Sequence, residues 1–441
     1  MKNTVLTTSA ALFMSVTNVF AQTPDKALSN YFQNYVLGEE HSIIAEHPIT
    51  DVEHIQKVAW EAWKEANAKV TTFSDKQLND ASVAQYNIPA ELEPDAIMNY
   101  YYGTKGQRPA AGYPFFLYLH GSGPKAQEWA TGLKLATMLF KDDPSVYMIP
   151  QIPNEGQLYR WWQKGKQWVW NKLLTRVMLD ENINPNQIYF FGISEGGYGS
   201  QRLGSFFADY LAAVGPMAGG EPLRNAPVEN MMNTPFSLLT GEFDRMFSRD
   251  ILTRRALKAF TNLQAKHPGK FIHRIELPEG RAHSIDYSPT TPWLRQFVRN
   301  ATPNEFQWEN FEMDGIKRNA FYNLVVGKEN TIGDQRTFYT YKACKNEIHI
   351  TVEHVTYETT MKDPMGIEVS YNKNKTKAEH GEIYVMLNQH MFNPKKKVKI
   401  FINGQLIVQD KLKPTYQAIA RSITTFSDPE RIFPYEVKLS W

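Results

Sequence analysis

The segment "YFFGISEGGYGSQ", Tyr189 to Gln201, decides how the chain folds. An apolar run ends there at Ser194, which stands between Gly192 and Gly196, and a helical pattern begins directly afterwards. A buried strand followed by a tight turn and a helix is the repeating unit of a parallel sheet covered by helices. The bare pattern G-x-S-x-G also arises by chance, so the rest of the chain has to support this interpretation.

Strand-like and helical segments alternate on both sides of this segment, over residues 96–302. The strand-like runs are nearly continuous in apolar residues, as in "YPFFLYLHG", "SVYMIPQIP", "NQIYFFGIS" and "TPFSLLTGEFD". Strands that are buried on both faces lose the polar alternation of a half-exposed strand, so the pattern predicts a mostly parallel sheet with helices on both faces. Residues 22–95 carry polar helical patterns instead and predict an N-terminal helical arm.

The pattern changes after residue 302, where short alternating strands are separated by polar turns. The stretch "VKIFINGQLIVQD" places an Asn-Gly pair between two alternating apolar runs, which is typical of a β-hairpin. Residues 303–441 are therefore predicted to form a C-terminal all-β domain similar to a small sandwich. The sequence leaves open whether this domain binds a ligand or only stabilises the rest, and it favours the structural role.

The N-terminus predicts export. Residues 1–21 carry Lys2 and an apolar stretch that ends at a small residue, Ala21, as a signal peptide does. The stretch is too short and polar to span a membrane. The only cysteine, Cys344, cannot form an intramolecular disulfide, which fits a bacterial periplasmic or secreted protein. With 48 basic and 46 acidic residues, no nucleic-acid or membrane partner is expected, and the oligomeric state is not indicated.

Ser194 is the candidate nucleophile, because it is predicted to lie on a strained turn with a helix N-terminus behind it. A serine hydroxyl needs a base, and the base needs an orienting carboxylate. His283 follows the last predicted strand and Asp244 ends an earlier one, so both are expected at the same edge of the sheet. Glu242 is the rival acid. Asp286 is either a second partner of His283 or a turn residue.

Two backbone N–H groups should form an oxyanion hole, and we assign them to Glu195 and to Ser122 in the turn "HGSG", with the neighbouring Gly121 and Gly123 as alternatives that can share the role of Ser122. Trp161 and Trp162 either form an aromatic substrate wall or pack in the core. Arg160 is expected in a surface salt bridge, with a substrate carboxylate as the less favoured partner. No metal-ligand set or phosphate-binding glycine loop occurs, so neither a metal nor a cofactor is expected.

The motifs "HGSG", "GISEGG", "GEFD" and "GRAHS", in this order, resemble the α/β-hydrolase superfamily. Within it, the chain resembles exported bacterial esterases of the polyhydroxybutyrate-depolymerase and feruloyl-esterase type. The resemblance implies that Ser194 attacks a carboxylic ester, such as a small ester or a plant-polysaccharide acyl ester, while His283 transfers the proton and Asp244 orients His283. A serine peptidase of the prolyl-oligopeptidase type and a carbohydrate-binding protein with a degenerate hydrolase domain are the alternatives.

Overall fold

The computed structural model describes residues 24–42, 48–69 and 72–441 of the chain, so the predicted signal peptide at 1–21 lies outside the described residues. An eight-stranded sheet forms the centre of the molecule. Its strands are β1 (Val83–Asn87), β2 (Ile97–Lys105), β3 (Tyr113–Leu119), β4 (Ser145–Pro150), β5 (Ile183–Ile193), β6 (Ala213–Met217), β7 (Phe236–Leu239) and β8 (His273–Glu276).

The strand order is β1-β2-β4-β3-β5-β6-β7-β8. The first two strands run antiparallel to their neighbours, and β4 to β8 and β3 run parallel to one another. This order is that of the α/β-hydrolase fold, and the predicted fold class is confirmed. Every residue of β3, β4 and β6 is buried, as expected for central strands covered on both faces.

Eight α-helices occur in the described ranges. They are α1 (Pro24–Leu37), α2 (Val52–Ala66), α3 (Lys125–Lys134), α4 (Lys164–Leu179), α5 (Glu195–Phe206), α6 (Arg249–Lys266), α7 (Thr290–Leu294) and α8 (Tyr416–Phe426). None of them is long and apolar enough to cross a membrane, a finding that concerns the described helices only.

The N-terminal arm predicted for 22–95 is helical over α1 and α2. Towards residue 95 the prediction of a helical arm is wrong. Val83–Asn87 forms β1, the edge strand of the central sheet. This strand is only five residues long and alternates between exposed and half-buried positions, so its pattern is too short to separate it from a helix or loop. The central sheet therefore begins before residue 96.

The C-terminal region is rich in β-structure, as predicted. A four-stranded and a six-stranded sheet account for it, built from β9 (Glu305–Asn310), β10 (Ala320–Phe321), β11 (Leu324–Lys328), β12 (Arg336–Cys344), β13 (Glu347–Lys362), β14 (Glu368–Lys377), β15 (Glu382–Leu387), β16 (Val398–Ile402), β17 (Gln405–Asp410) and β18 (Tyr435–Ser440).

One helix, α8, lies within this β-rich region and was not predicted. It begins at a capping residue, Thr415, whose side chain accepts a hydrogen bond from the N–H of Ala418. Its apolar face packs on α1 and α2 in one buried cluster that includes Phe32, Trp63 and Ile419. The N-terminal arm thus packs against the end of the chain.

The β-rich region is not a separate appendage. Leu117 and Phe190 of the central sheet belong to the same continuous hydrophobic cluster as Phe306 and Tyr341 of the β-rich region. A shared apolar core makes the two parts stabilise each other, because separating them would expose that surface to water.

Candidate active site

Ser194 lies at the sharp turn between β5 and α5. Its backbone has φ 57° and ψ −112°, a conformation that residues with a side chain rarely adopt and that costs about 1–3 kcal/mol. Its N–H donates to the carbonyl of Met217 on the neighbouring strand at 2.9 Å, which fixes the turn against the sheet. The neighbouring strand therefore holds the strained backbone of Ser194 in place, as the predicted nucleophile elbow requires.

The flanking glycines are required by close backbone contacts. A Cβ atom at Gly196 would lie 1.9 Å from the carbonyl oxygen of Leu119, and one at Gly192 would lie 2.5 Å from the carbonyl oxygen of Gly196. At Gly197 it would lie 2.5 Å from the carbonyl oxygen of Met217. Any larger residue would force β3, β5 and β6 away from the first turn of α5.

The structure brings Ser194, His283 and Asp244 together. The Nε2 atom of His283 lies 3.1 Å from Ser194 Oγ, and its Nδ1 atom lies 2.7 Å from Asp244 Oδ2. Because a carboxylate can only accept, the proton of the neutral imidazole is on Nδ1 and Nε2 is free to accept from the serine hydroxyl. This is the arrangement in which a histidine can take a proton from a serine.

Asp244 is held by a further contact. It is buried, with a relative exposure of 3%, and its second oxygen accepts a hydrogen bond from Arg249 Nη1 at 3.1 Å. A buried carboxylate needs such partners because desolvation is costly. Arg249 begins α6, five residues after Asp244, and sequence reasoning missed it although a basic residue at that spacing was a usable signal.

The two rival acids serve other contacts. Glu242 Oε2 accepts from the N–H of Gly280 at 3.0 Å, and Asp286 Oδ1 accepts from the N–H of Ser288 at 2.9 Å. Glu242 therefore helps to hold the loop that precedes His283, and Asp286 is a turn residue. The geometry favours Asp244 as the carboxylate that contacts His283.

Backbone contacts connect the loops of Asp244 and His283. The N–H of Phe243 donates to the carbonyl of Arg281 at 2.7 Å, and Tyr287 Oη donates to the carbonyl of His283 at 2.7 Å. A Cβ atom at Gly241 would lie 1.9 Å from the carbonyl oxygen of Ala282, so the two loops touch at this glycine. The glycine of the sequence pattern "GEFD", Gly241, is therefore required because the loops of Asp244 and His283 touch at this position.

The turn after β3, residues 120–123, lies beside the nucleophile. A Cβ atom at Gly121 would lie 3.5 Å from the Cβ atom of Ser194. Side chains hold the carbonyl groups of this turn: Tyr159 Oη donates to Gly121 at 2.6 Å, and Trp161 Nε1 donates to His120 at 3.0 Å. With these carbonyls bonded, the turn is rigid, as a preorganised oxyanion hole requires.

His120 contributes to the same rigidity. Its ring is fully buried, and this burial lowers the pKa of His120 to about 4. Its Nε2 atom accepts from the N–H of Ile152 at 3.1 Å, so Nδ1 carries the proton and lies 2.7 Å from the carbonyl oxygen of Gly121. A neutral histidine therefore ties the turn to the end of β4.

The predicted oxyanion donors lie in suitable elements. Glu195 is the first residue of α5, where backbone N–H groups lack partners within the helix. Ser122 is an exposed residue of the 120–123 turn. Their role as oxyanion donors stays a prediction.

The two tryptophans differ, and the prediction that Trp161 binds substrate is wrong. Trp161 is completely buried and packs beneath α5, where a Cβ atom at Gly199 would lie 2.6 Å from Trp161 Cβ. Its indole supports the 120–123 turn through the hydrogen bond to His120. Trp162 is only partly buried and lines a cavity next to the elbow.

This cavity, which we call the elbow cavity, has a volume of about 650 Å³. Glu195 and Tyr198 of α5, the helix that follows Ser194, line this cavity, whereas Ser194 and His283 are not among its lining residues. The guanidinium carbon of Arg202 lies 3.8 Å from the ring centre of Trp162, so an arginine covers the aromatic face. The remaining lining residues come from the loops and helices around the central sheet and from the β-rich region. Those around the central sheet are Arg160, Gly220, Glu221, Pro222, Arg224, Asn225 and Phe247, and those of the β-rich region are Arg336, Thr359, Lys362, Gly366, Ile367 and Glu368.

The Glu195 side chain points to this cavity and has an unusual environment. Burial raises the pKa of Glu195 to about 7, and Arg160, whose Nη1 atom lies 3.5 Å from Glu195 Oε2, opposes the rise. Its other oxygen is buried and has no hydrogen-bond partner among the described residues. Arg160 thus forms the expected salt bridge, and it forms it at the cavity wall.

No metal centre is found in the part of the chain that the structure describes, where no group of three or more His, Cys, Asp and Glu side chains could hold an ion. His349 stacks on Phe401 with 4.6 Å between ring centres. It has a packing role on the surface of the β-rich region.

Comparison with known proteins finds similarity in structure only. No family model and no curated protein matches the chain. Solved structures that match include a thermostable esterase, with 21% identity, a TM-score of 0.40 and coverage of 50% of this chain and 64% of that one. Another is a ferulic acid esterase, with 15% identity, a TM-score of 0.35 and coverage of 49% and 98%. A third is a ferulic acid esterase of the anaerobic fungus Anaeromyces mucronatus, with 14% identity, a TM-score of 0.32 and coverage of 49% and 88%.

Proposed function

We propose that this chain is an exported serine hydrolase that cleaves carboxylic esters through an acyl-enzyme. The observation that carries the proposal is the unbroken hydrogen-bonded series from Asp244 through His283 to Ser194, with the serine on a strained elbow at the carboxyl edge of the sheet. Three residues from three separate loops meet at hydrogen-bond distance, which is the geometry of nucleophilic acyl transfer.

In the first half-reaction, Ser194 Oγ bonds to the carbonyl carbon of the ester while His283 Nε2 takes the hydroxyl proton. The carbonyl electron pair moves to oxygen, and the resulting oxyanion accepts hydrogen bonds from the N–H groups of Glu195 and Ser122. The carboxylate of Asp244 stabilises the imidazolium of His283. The oxyanion then reforms the carbonyl, the alcohol oxygen leaves with the proton from Nε2, and Ser194 keeps the acyl group.

In the second half-reaction, a water molecule replaces the alcohol. His283 Nε2 takes a proton from this water as its oxygen bonds to the acyl carbon. The tetrahedral intermediate collapses, the bond to Ser194 Oγ breaks, and Nε2 returns the proton to that oxygen. The carboxylic acid is released and the enzyme is regenerated.

A substrate panel tests the proposal and separates esters from amides. We expect wild-type protein to hydrolyse p-nitrophenyl esters of short and aromatic acids faster than aminoacyl-naphthylamides. Ser194→Ala should lose at least about a thousandfold in kcat, because it removes the nucleophile. Ser29→Ala, a serine in α1, is the matched control and should keep full activity. Faster amide cleavage would indicate a serine peptidase, and equal activity of Ser194→Ala and wild type would refute the mechanism.

Export is proposed from residues 1–21, and it has its own test. Expression of the full chain in a bacterial host should give a mature protein in the periplasm or medium that begins near Gln22, as measured by intact mass after cell fractionation. An uncleaved chain in the cytoplasm would contradict export without affecting the proposed chemistry.

A further inference from the structure

The β-rich region forms one wall of the elbow cavity. Thr359, Lys362 and Glu368 line it from the β13–β14 hairpin, and Glu195 of α5 lines it as well. The two strands of the hairpin pair antiparallel from Glu353 to Lys362, and the tip of the hairpin lines the cavity. A cavity bounded in this way is incomplete without the C-terminal region.

The tip of the hairpin is fixed in place. Asp363 Oδ2 accepts a hydrogen bond of 2.7 Å from Ser248, which lies in the loop that follows Asp244. The other oxygen of Asp363 accepts from the N–H groups of Met365 and Ile367, at 2.9 and 2.8 Å, and so preforms the turn. The hairpin therefore meets the catalytic loop in a defined position rather than lying over it loosely.

The cavity has an excess of positive charge. Five of its lining residues are basic (Arg160, Arg202, Arg224, Arg336 and Lys362), and three are acidic (Glu195, Glu221 and Glu368). Of the three carboxyl groups, Glu195 has a pKa that burial raises to about 7, so its negative charge is reduced at neutral pH. Walls of one dominant sign attract ligands of the other.

Two of the five basic residues are fully engaged. Arg202 forms a two-point pair with Glu221 at 2.8 and 3.1 Å, and Arg336 lies 2.7 Å from Glu309. The two-point pair of Arg202 and the short hydrogen bonds of Arg336 Nη1 to Glu309 and to the carbonyl of Arg224, both 2.7 Å, leave these two groups little capacity for a ligand.

The other three basic residues keep capacity for an anion. The guanidinium of Arg224 is 3.6 Å from Glu368 and 3.7 Å from Asp334, which is longer than a hydrogen bond. The side chain of Lys362 is exposed and has no hydrogen bond or ion pair within the described part of the chain. Arg160, with 43% of its side chain exposed, meets Glu195 only at 3.5 Å. An incoming carboxylate could pair with these groups without breaking a short ion pair.

We propose that the elbow cavity recognises an ester that carries a carboxylate, and that Lys362 and Arg224 bind this carboxylate. The inference rests on the proposed ester hydrolysis and adds the substrate class. The carboxylate belongs either to the acyl part or to the alcohol part of the ester, and both share the same recognition chemistry. The half-buried ring of Trp162 and the exposed ring of Phe247 offer apolar surface to the rest of the substrate.

Two pairs of isosteric esters test the proposal. The acyl side is probed with the mono-p-nitrophenyl ester of adipate against that of its monoamide, and the alcohol side with 4-acetoxybenzoate against 4-acetoxybenzamide. In one pair we expect the anionic ester to have a kcat/KM about tenfold higher than its neutral partner at low salt, and this preference should shrink as ionic strength rises. The pair that shows the preference identifies which side carries the carboxylate.

Three variants separate recognition from other effects. Lys362→Gln and Arg224→Gln should each lower the anionic-to-neutral ratio of kcat/KM by about fivefold, the size of one exposed charge contact. Lys377→Gln removes the same charge from an exposed position on the same hairpin and should leave the ratio unchanged. All three substituted sites are at least partly exposed, so folding should persist, and circular dichroism checks this.

The outcomes are distinguishable. If wild-type protein hydrolyses the neutral esters but prefers neither anionic one, the carboxylate inference is wrong and the proposed function stands. If the preference exists but survives both Lys362→Gln and Arg224→Gln, these residues do not bind the carboxylate and the inference is likewise overturned. If no ester is hydrolysed, the proposed function fails and the inference fails with it.

Discussion

At the scale of single residues, the site depends on which of several similar side chains contacts His283. Asp244 and Glu242 are two residues apart in one loop, yet only the shorter, buried side chain contacts the histidine, at 2.7 Å. Glu242 instead binds the N–H of Gly280. The geometry of the loop causes this difference in contacts. Substitution of each acid in turn therefore compares their roles directly.

Substitution of the two acids should have very different effects on catalysis. Asp244→Asn keeps the shape but removes the charge, and because Arg249 holds the amide oxygen, an NH2 donor then faces His283 Nδ1 and disfavours the required tautomer, so kcat for a p-nitrophenyl ester should fall by about 10,000-fold. Glu242→Gln keeps an acceptor for the Gly280 N–H, so kcat should change by less than about threefold. Steady-state kinetics of the two variants measure this. Similar losses in both variants would contradict the assignment of Asp244.

At the scale of secondary-structure elements, the candidate active site depends on close contact between β3, β5 and α5. Gly196 adopts helical backbone angles, so its need for glycine is steric and not conformational. The carbonyl oxygen of Leu119 occupies the space that a side chain would need, at 1.9 Å from the Cβ position.

Gly196→Ala should therefore destabilise the protein strongly. We expect a loss of about 3 kcal/mol or more in the free energy of unfolding, because the backbone of β3 cannot move aside without disturbing the sheet. Gly404→Ala is the control: its φ is +83° and no atom lies within 4 Å of its Cβ position, so only about 1 kcal/mol should be lost. Urea unfolding followed by fluorescence compares the two. An equal loss would show that the predicted steric contact is not present.

These elements also show what could be predicted from the sequence. The central strands, the elbow and the loops of Asp244 and His283 are local patterns, and their convergence follows from the direction of parallel strands. Trp161 and Trp162 are neighbours, and which of them is buried depends on how the segment crosses beneath α5. The approach of the β13–β14 hairpin to Glu195 joins residues more than a hundred positions apart, and no local pattern contains that information.

At the scale of the whole molecule, a buried cluster of charges joins the part built on the central sheet to the β-rich region. Asp428 accepts hydrogen bonds from Arg299 at 2.7 Å and from Arg431 at 2.6 Å. Arg431 and Arg318 also pair with Asp209, directly after α5. Charges that are buried in such a network are costly to leave without partners, so the cluster makes the contact between the two parts specific.

This cluster predicts acid sensitivity. Burial alone would raise the pKa of Asp428, but Arg299 and Arg431 lower it to about 2, below its ordinary value of 3.8. A carboxylate with a depressed pKa in the folded state contributes stability above pH 3.8 that is lost as the pH falls towards 2. The loss should be about 2 kcal/mol across this window.

Asp428→Asn tests the same cluster at neutral pH. It leaves Arg299 and Arg431 short of a buried counter-charge, so the free energy of unfolding should fall by about 3–5 kcal/mol at pH 7, and its decline between pH 4 and pH 2 should become shallower. Asp410→Asn changes an exposed aspartate at the end of β17 and should leave both quantities unchanged. Urea titrations at several pH values measure these effects, and an unchanged stability of Asp428→Asn would contradict the role of the cluster.

The central claim is that Ser194 is the nucleophile of the molecule, and covalent labelling tests it most directly. Wild-type protein treated with a fluorophosphonate should gain the mass of one adduct, and peptide mapping should place that adduct on Ser194. Ser194→Ala should gain no adduct, whereas Ser29→Ala should label like the wild type. An adduct that persists in Ser194→Ala, or that maps to another serine in the wild type, would contradict the account.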